Sequence, residues 1–235
     1  MESYHREPYR FLFESVVADV TDDGVVLETT YFYPLSGGQP HDTGVFVIDG
    51  REHKVVLVRK RDGRVVHELE GKPAVEKGTA VSARIDEERR RRLMRSHTAA
   101  HIISAVIAEA TGAEITGNQL DLDKIRIDFS TPDFDPDAFA KHIAAANDVI
   151  AQGLPVRSSE VSREEMLADS SLVKLAKGFP EHISRVRIVD IVGFDRQACG
   201  GTHVENTVEI GSLALVRVEN KGAKNRRVYI RLASS

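Results

Sequence analysis

The sequence predicts an α+β protein in which a small N-terminal β-barrel precedes a mixed α+β domain. Three observations carry this expectation. Residues 10 to 85 break into short alternating strands at turn-forming pairs. A long helical segment without proline opens at Asp86. Beyond it, helices and strands intermix without the regular βαβ rhythm of a parallel sheet. Two domains are therefore expected, 1–85 and 86–235, a plausible partition of 235 residues.

Each element has its own signal. "SVVADVTDDGVVLETT" alternates apolar and polar residues on either side of Thr-Asp-Asp-Gly, the pattern of a hairpin. "GVFVIDGREHKVVLVRKRDGRVVHELEG" continues in short strands broken at Asp49-Gly50 and Asp62-Gly63, and "AVEKGTAVSARID" supplies one more. In "DEERRRRLMRSHTAAHIISAVIAEATG", Asp86 is the expected N-cap, acidic residues fill the first turn and Gly112 is the stop. A strand is expected in "KIRIDFS", a helix opened by proline in "DPDAFAKHIAAANDVIAQG", a strand in "PVRSSEVS" and a short helix in "REEMLADS". "SRVRIVDIVGF" then leads to a glycine-rich loop, and "SLALVRVENKGAKNRRVYIRLA" reads as a closing hairpin.

Composition narrows the function classes. With no tryptophan and 6% aromatic residues, the core must rest on Val, Ile, Leu and Ala. A single cysteine excludes an internal disulfide and makes the cytoplasm the expected compartment. No apolar run approaches the ~20 residues of a membrane span, and "MESYHREPYR" is not a signal peptide. The net charge of -4 argues against a wholly basic nucleic-acid binder while leaving room for a local basic patch.

The chemistry-bearing residues form two pairs. His97 and His101 lie at i and i+4, so their side chains fall ~40° apart on one helix face, one turn above the other. Cys199 and His203 lie in "QACGGTHVEN", where Gly200 and Gly201 are expected to let the loop fold back. Together the pairs offer three nitrogens and one thiolate, a donor set suited to a single Zn2+ ion. The helix motif His-Thr-Ala-Ala-His lacks the glutamate that a zincin protease uses as base, and the paired cysteines of a deaminase are missing. Four protein ligands can saturate tetrahedral zinc, so the pattern alone leaves structural and catalytic roles both open. His5, His41, His53, His67, His142 and His182 show no comparable pairing.

"SHTAAHII" and "CGGTHVENTVEIGSLALVRVE" resemble the two zinc-binding blocks of the alanyl-tRNA synthetase editing domain and of its free-standing relatives, the AlaX trans-editing proteins. "TYFYPLSGGQPHDTG" is similar to the glycine-rich loop region of that family, with Ser36 in place of the usual first glycine. "GNQLDLDKIRIDFS" and "NKGAKNRRVYIRLA" are similar to two further blocks, so the likeness runs from about Val25 to Leu232. The resemblance implies a barrel followed by an editing domain of the threonyl/alanyl-tRNA synthetase type. It further implies hydrolysis of the ester joining serine, or glycine, to alanine tRNA. By the same likeness His97, His101, Cys199 and His203 are zinc ligands, Gly37, Gly38 and Gln39 belong to the loop near substrate, and Thr30 matches a threonine associated with the serine hydroxyl. No residue is assigned as general base. A free-standing form without a nucleotide cofactor is expected, because the chain begins at Met1 and lacks a synthetase ATP-binding motif.

Mischarged alanine tRNA is thus the expected partner. Arg89, Arg90, Arg91 and Arg92, near Arg84 and Arg95, are candidate phosphate contacts, as are Lys221, Lys224, Arg226 and Arg227 in the last hairpin. Charge runs are more often solvated faces, and Asp86, Glu87 and Glu88 lie alongside the first cluster. Two other readings share these residues. One is deacylation of another tRNA, such as seryl-tRNA(Thr); the other is a tRNA-binding module with a purely structural zinc.

Overall fold

A computed structural model describes residues 1–131, 135–169, 172, 184–223 and 225–233. The chain divides into two compact units, Met1–Leu93 and Met94–Ser235. The architecture is α+β with the barrel first, as the strand-then-mixed pattern predicts.

In the first unit a single turn, α1 (Ser3–Arg6), precedes six strands: β1 (Leu12–Thr21), β2 (Gly24–Leu27), β3 (Gly44–Ile48), β4 (Arg51–Arg61), β5 (Arg64–Leu69) and β6 (Ala80–Ile85). They close into an antiparallel barrel in the order β1-β2-β5-β4-β3-β6. The Asp-Gly turns behave as their chemistry demands. Asp49 and Gly50 take φ of 49° and 73°, Asp62 and Gly63 of 48° and 77°, the positive φ at both positions that tight hairpin turns need. Inward-pointing residues of the strands, Phe13, Val17, Val25, Leu27, Phe46, Val55, Val58, Val81, Ala83 and Ile85, fill the interior with Phe32, and a register shift between Val55 and Leu57 lets both Val55 and Val58 face inward. Gly24 is needed for closure: a Cβ there would lie 2.2 Å from the His67 carbonyl oxygen on β5.

The helix α2 (Glu87–Thr111) has the expected ends. Asp86 Oδ1 accepts from Arg89 N at 3.0 Å, and Gly112, at φ 70°, donates its N–H to Ala108 O at 2.8 Å. Its first turns belong to the barrel unit, because Arg90 is anchored there. The boundary between units consequently falls inside the helix, after Leu93.

The second unit continues with β7 (Ile115–Leu120), β8 (Ile125–Phe129), α3 (Pro136–Ala151), β9 (Val156–Ser162), α4 (Arg163–Ala168), β10 (Arg185–Ile191), β11 (Asp195–Ala198), a 3-10 turn (Thr207–Ile210), β12 (Leu213–Asn220) and β13 (Arg226–Leu232). Two antiparallel sheets result, β11-β10-β9 and β12-β13-β8-β7. Asp135 caps α3 by accepting from Asp137 N, ahead of Pro136 in the first helical position. Ser162 and Glu165 form a capping box on α4, whose expected end at Ser170 lies outside the described residues. Among the described residues no helix is long and apolar enough to cross a membrane.

Candidate functional site

His97, His101, Cys199 and His203 come together, their donor atoms all within 4.8 Å of one another. Helical spacing sets the first pair, with ring centroids 5.3 Å apart, and the loop after β11 brings in the second. Cys199 Sγ lies 3.4 Å from His97 Nε2 and 3.2 Å from His203 Nε2. Donors around a tetrahedral zinc, with bonds of 2.0–2.3 Å, are separated by about 3.5 Å, so the Cys–His separations fit such an ion. The three imidazoles are buried. The Cys199 residue keeps some exposure, yet burial of its thiol pushes its pKa up, opposed by the Gly201 N–H and by Arg187. A bound cation is what would stabilise a thiolate in that place.

Residues the sequence did not single out hold this geometry. Arg187 on β10 donates to the carbonyls of Cys199 at 3.0 Å and Gly201 at 2.9 Å, and Gly201 N–H donates to Cys199 Sγ at 3.4 Å. Neither Gly200 nor Gly201 takes positive φ, so the loop is shaped by this arginine clamp rather than by left-handed glycines. Thr98 fixes His203. Its hydroxyl donates to Met94 O at 3.0 Å, so its oxygen is left to accept from His203 Nδ1–H at 3.1 Å and Val204 N–H at 3.3 Å. That arrangement leaves Nε2 of His203 with the lone pair that faces the thiol. Asp195 Oδ2, 3.9 Å from His101 Nδ1, brings a carboxylate near a third imidazole. Arg187 shares β10 with Arg185 and Asp190, so nothing in the strand's sequence marks it apart from its charged neighbours.

Thr30 and the loop residues belong to the barrel unit. Ser36-Gly37-Gly38-Gln39 is a tight turn: Gly37 and Gly38 take φ of 56° and 83°, and Gln39 N donates to Ser36 O at 2.9 Å. Gly37 and Gly38 are exposed at its tip, whereas Gln39 is fully buried. Thr30, half-buried, lies with Oγ1 2.8 Å from His67 Nε2 and accepts from Phe32 N–H at 3.2 Å. His67, which has no partner at metal-ligand spacing in the sequence, is thus paired with a threonine hydroxyl. His182 lies outside the described residues.

The basic clusters separate into two kinds. Arg90 is fully buried, paired with Asp42 and donating to Pro8 O and Tyr31 O, so it is not available to an external phosphate. Arg226 is buried as well and holds the last hairpin turn through Asn220, Gly222 and Asn225. Arg227 forks onto Asp128 at 2.7 and 2.9 Å, and Arg95 donates to Ile210 O. Arg89 donates to His41 O; Arg91 is exposed, paired with Glu87 and stacked over Tyr9 and Phe11. Arg92 is half-buried and Lys221 exposed beside Glu219, while Lys224 lies outside the described residues.

Residues 186–229 match the family model of the threonyl and alanyl tRNA synthetase second additional domain, and residues 9–89 match that of the class II (A) tRNA synthetases. The chain is 49% identical to the alanyl-tRNA editing protein AlaX-M of Methanosarcina barkeri, over 97% of each chain. It is 37% identical to AlaX-M of Saccharolobus solfataricus, again over 97% of each. Alanine–tRNA ligase of Pyrococcus furiosus is 37% identical over 92% of this chain, which corresponds to 24% of the ligase.

Proposed function

The chain belongs to the AlaX family of alanyl-tRNA editing proteins, and from that membership we propose that it hydrolyses the ester joining serine or glycine to alanine tRNA. The carrying observation is the His97, His101, Cys199 and His203 cluster in a chain that aligns over 97% of its length with such a protein. An aminoacyl ester is already activated, so the protein need only place it against a water and stabilise the developing oxyanion. We assign the four residues as ligands of one Zn2+ ion, since imidazole and thiolate favour it over hard, oxygen-seeking cations. When bound, zinc supplies a Lewis acid that polarises water or anchors the substrate's α-amino and ribose groups. Arg187 and Thr98 keep the Cys199 loop and the His203 ring oriented for it.

Discrimination is the harder demand, because correct alanyl-tRNA must survive. Serine exceeds alanine by one hydroxyl, and a site built to pair that hydroxyl disfavours a side chain without it. We assign this reading to Thr30. Gly37 and Gly38, exposed at their turn, are the loop positions where a substrate can approach the backbone closely; Gln39 acts from inside by closing the turn.

The test is single-turnover deacylation of seryl-, glycyl-, alanyl- and threonyl-tRNA with metal content measured in parallel. Expected is about one equivalent of zinc per chain, hydrolysis of seryl- or glycyl-tRNA(Ala) and survival of alanyl-tRNA. Cys199→Ala with His203→Ala should lose both metal and activity. Full metal retention in that variant rejects the ligand set. Bound zinc and tRNA with no deacylation would instead support a binding module with a structural metal.

A further inference from the structure

We infer that His67 orients the Thr30 hydroxyl so that Thr30 meets a substrate as a hydrogen-bond acceptor only. The inference rests on the assignment of Thr30 to the substrate side chain, and it adds a positioning residue and a polarity to that assignment.

His67 sits on β5, fully buried, with Phe32 and Phe46 rings 5.4 and 5.2 Å from its own. Its Nδ1 is 3.0 Å from Val25 O, and a carbonyl oxygen can only accept, so Nδ1 carries a proton. Burial holds the ring neutral, its pKa lowered to about 4. A neutral imidazole protonated at Nδ1 has a bare lone pair at Nε2. The group 2.8 Å from that lone pair is Thr30 Oγ1, so the threonine O–H donates to histidine. Phe32 N–H in turn occupies one lone pair of the same oxygen. What Thr30 has left is a single lone pair and a methyl group.

A substrate side chain that meets this oxygen must bring a donor. Serine does so through its hydroxyl; alanine and glycine bring none, and leave the lone pair without a partner. Were the Thr30 hydroxyl free to rotate, it would serve donors and acceptors alike and select less sharply. His67 thereby contributes to specificity without touching the substrate.

The experiment measures the ratio of seryl- to glycyl-tRNA deacylation rates in wild type, Thr30→Val, His67→Asn, His67→Gln and the Thr30→Val/His67→Asn double variant. Asparagine reproduces the Nδ1 donor to Val25 but cannot reach Thr30, whereas the glutamine Oε1 can accept from it. The expected loss in ratio for His67→Asn is that of one uncharged hydrogen bond, roughly 2- to 13-fold. His67→Gln should recover most of the ratio, and the double variant should fall no lower than Thr30→Val alone. A wild-type ratio in His67→Asn, where Thr30→Val lowers it, overturns the inference and leaves the Thr30 assignment standing. An unchanged ratio in Thr30→Val overturns the assignment itself. Should the His67 variants not fold, nitrogen NMR of the wild-type imidazole decides: a protonated Nε2 at neutral pH overturns the inference, and a bare Nε2 with protonated Nδ1 supports it.

Discussion

Burial between Phe32 and Phe46 lowers the His67 pKa to about 4, from the 6.5 of an ordinary histidine. The folded chain refuses a proton that the unfolded chain accepts. Its stabilising contribution is therefore whole above about 6.5 and is lost as pH falls from there through about 4. Across that window the linkage amounts to about 3 kcal/mol. Denaturation midpoints measured from pH 7 to 4 should fall steeply in wild type and less so in His67→Phe; identical slopes would remove His67 from the account. Nothing in the sequence announced this residue. A search for histidine pairs at metal spacing finds His97 with His101, but not a histidine whose partner is a threonine 37 positions away.

The helix α2 shows which features of an element local sequence encodes. Asp86 and Gly112 mark its ends because capping involves neighbours within four residues. The fate of the four successive arginines is not encoded that way. Arg90 is buried because Asp42, Pro8 and Tyr31, all distant in the chain, converge on its guanidinium, while Arg91 one position on faces solvent. Removing Arg90 leaves the Asp42 carboxylate buried without its counter-charge. Arg90→Leu should cost about 3–5 kcal/mol in chemical denaturation, against less than about 1 for Arg91→Leu. A similar cost at both positions would contradict the burial argument. The loop after β11 has the same lesson. Its candidate ligands, Cys199 and His203, stood out in the sequence, yet the clamp that shapes it comes from Arg187 across a strand pair. Arg187→Met should weaken zinc affinity by about 10- to 100-fold in a chelator competition, as loss of an outer-shell partner does. Unaltered affinity would show that the loop holds its shape unaided.

On the scale of the whole molecule, the barrel-then-mixed order was readable because strand alternation and Asp-Gly turns are short-range signals. The strand β7 was not, since "ITGNQL" has apolar residues only at its ends and owes its place to pairing with β8. Net charge is equally uninformative about where an anion would bind. With -4 overall, a tRNA surface built on these two clusters depends on Arg91 and Lys221, the exposed cations among their described residues. Their replacement by glutamine should make the dependence of log affinity on log salt shallower by ~1 per lost contact. An unchanged slope would assign them to a solvated face.

The strand order of the barrel has a consequence for how the protein is made. β6 pairs with β1 on one side and β3 on the other, so the ring closes only with its last strand. During synthesis, Leu12–Thr21 and Gly44–Ile48 each present a row of unsatisfied backbone donors and acceptors, the kind of edge that recruits strands from neighbouring chains. That hazard ends when Ala80–Ile85 leaves the ribosome, and both edges vanish in one step. A translational pause just before Ala80 prolongs the vulnerable interval; a pause just after Ile85 has cleared the exit tunnel does not.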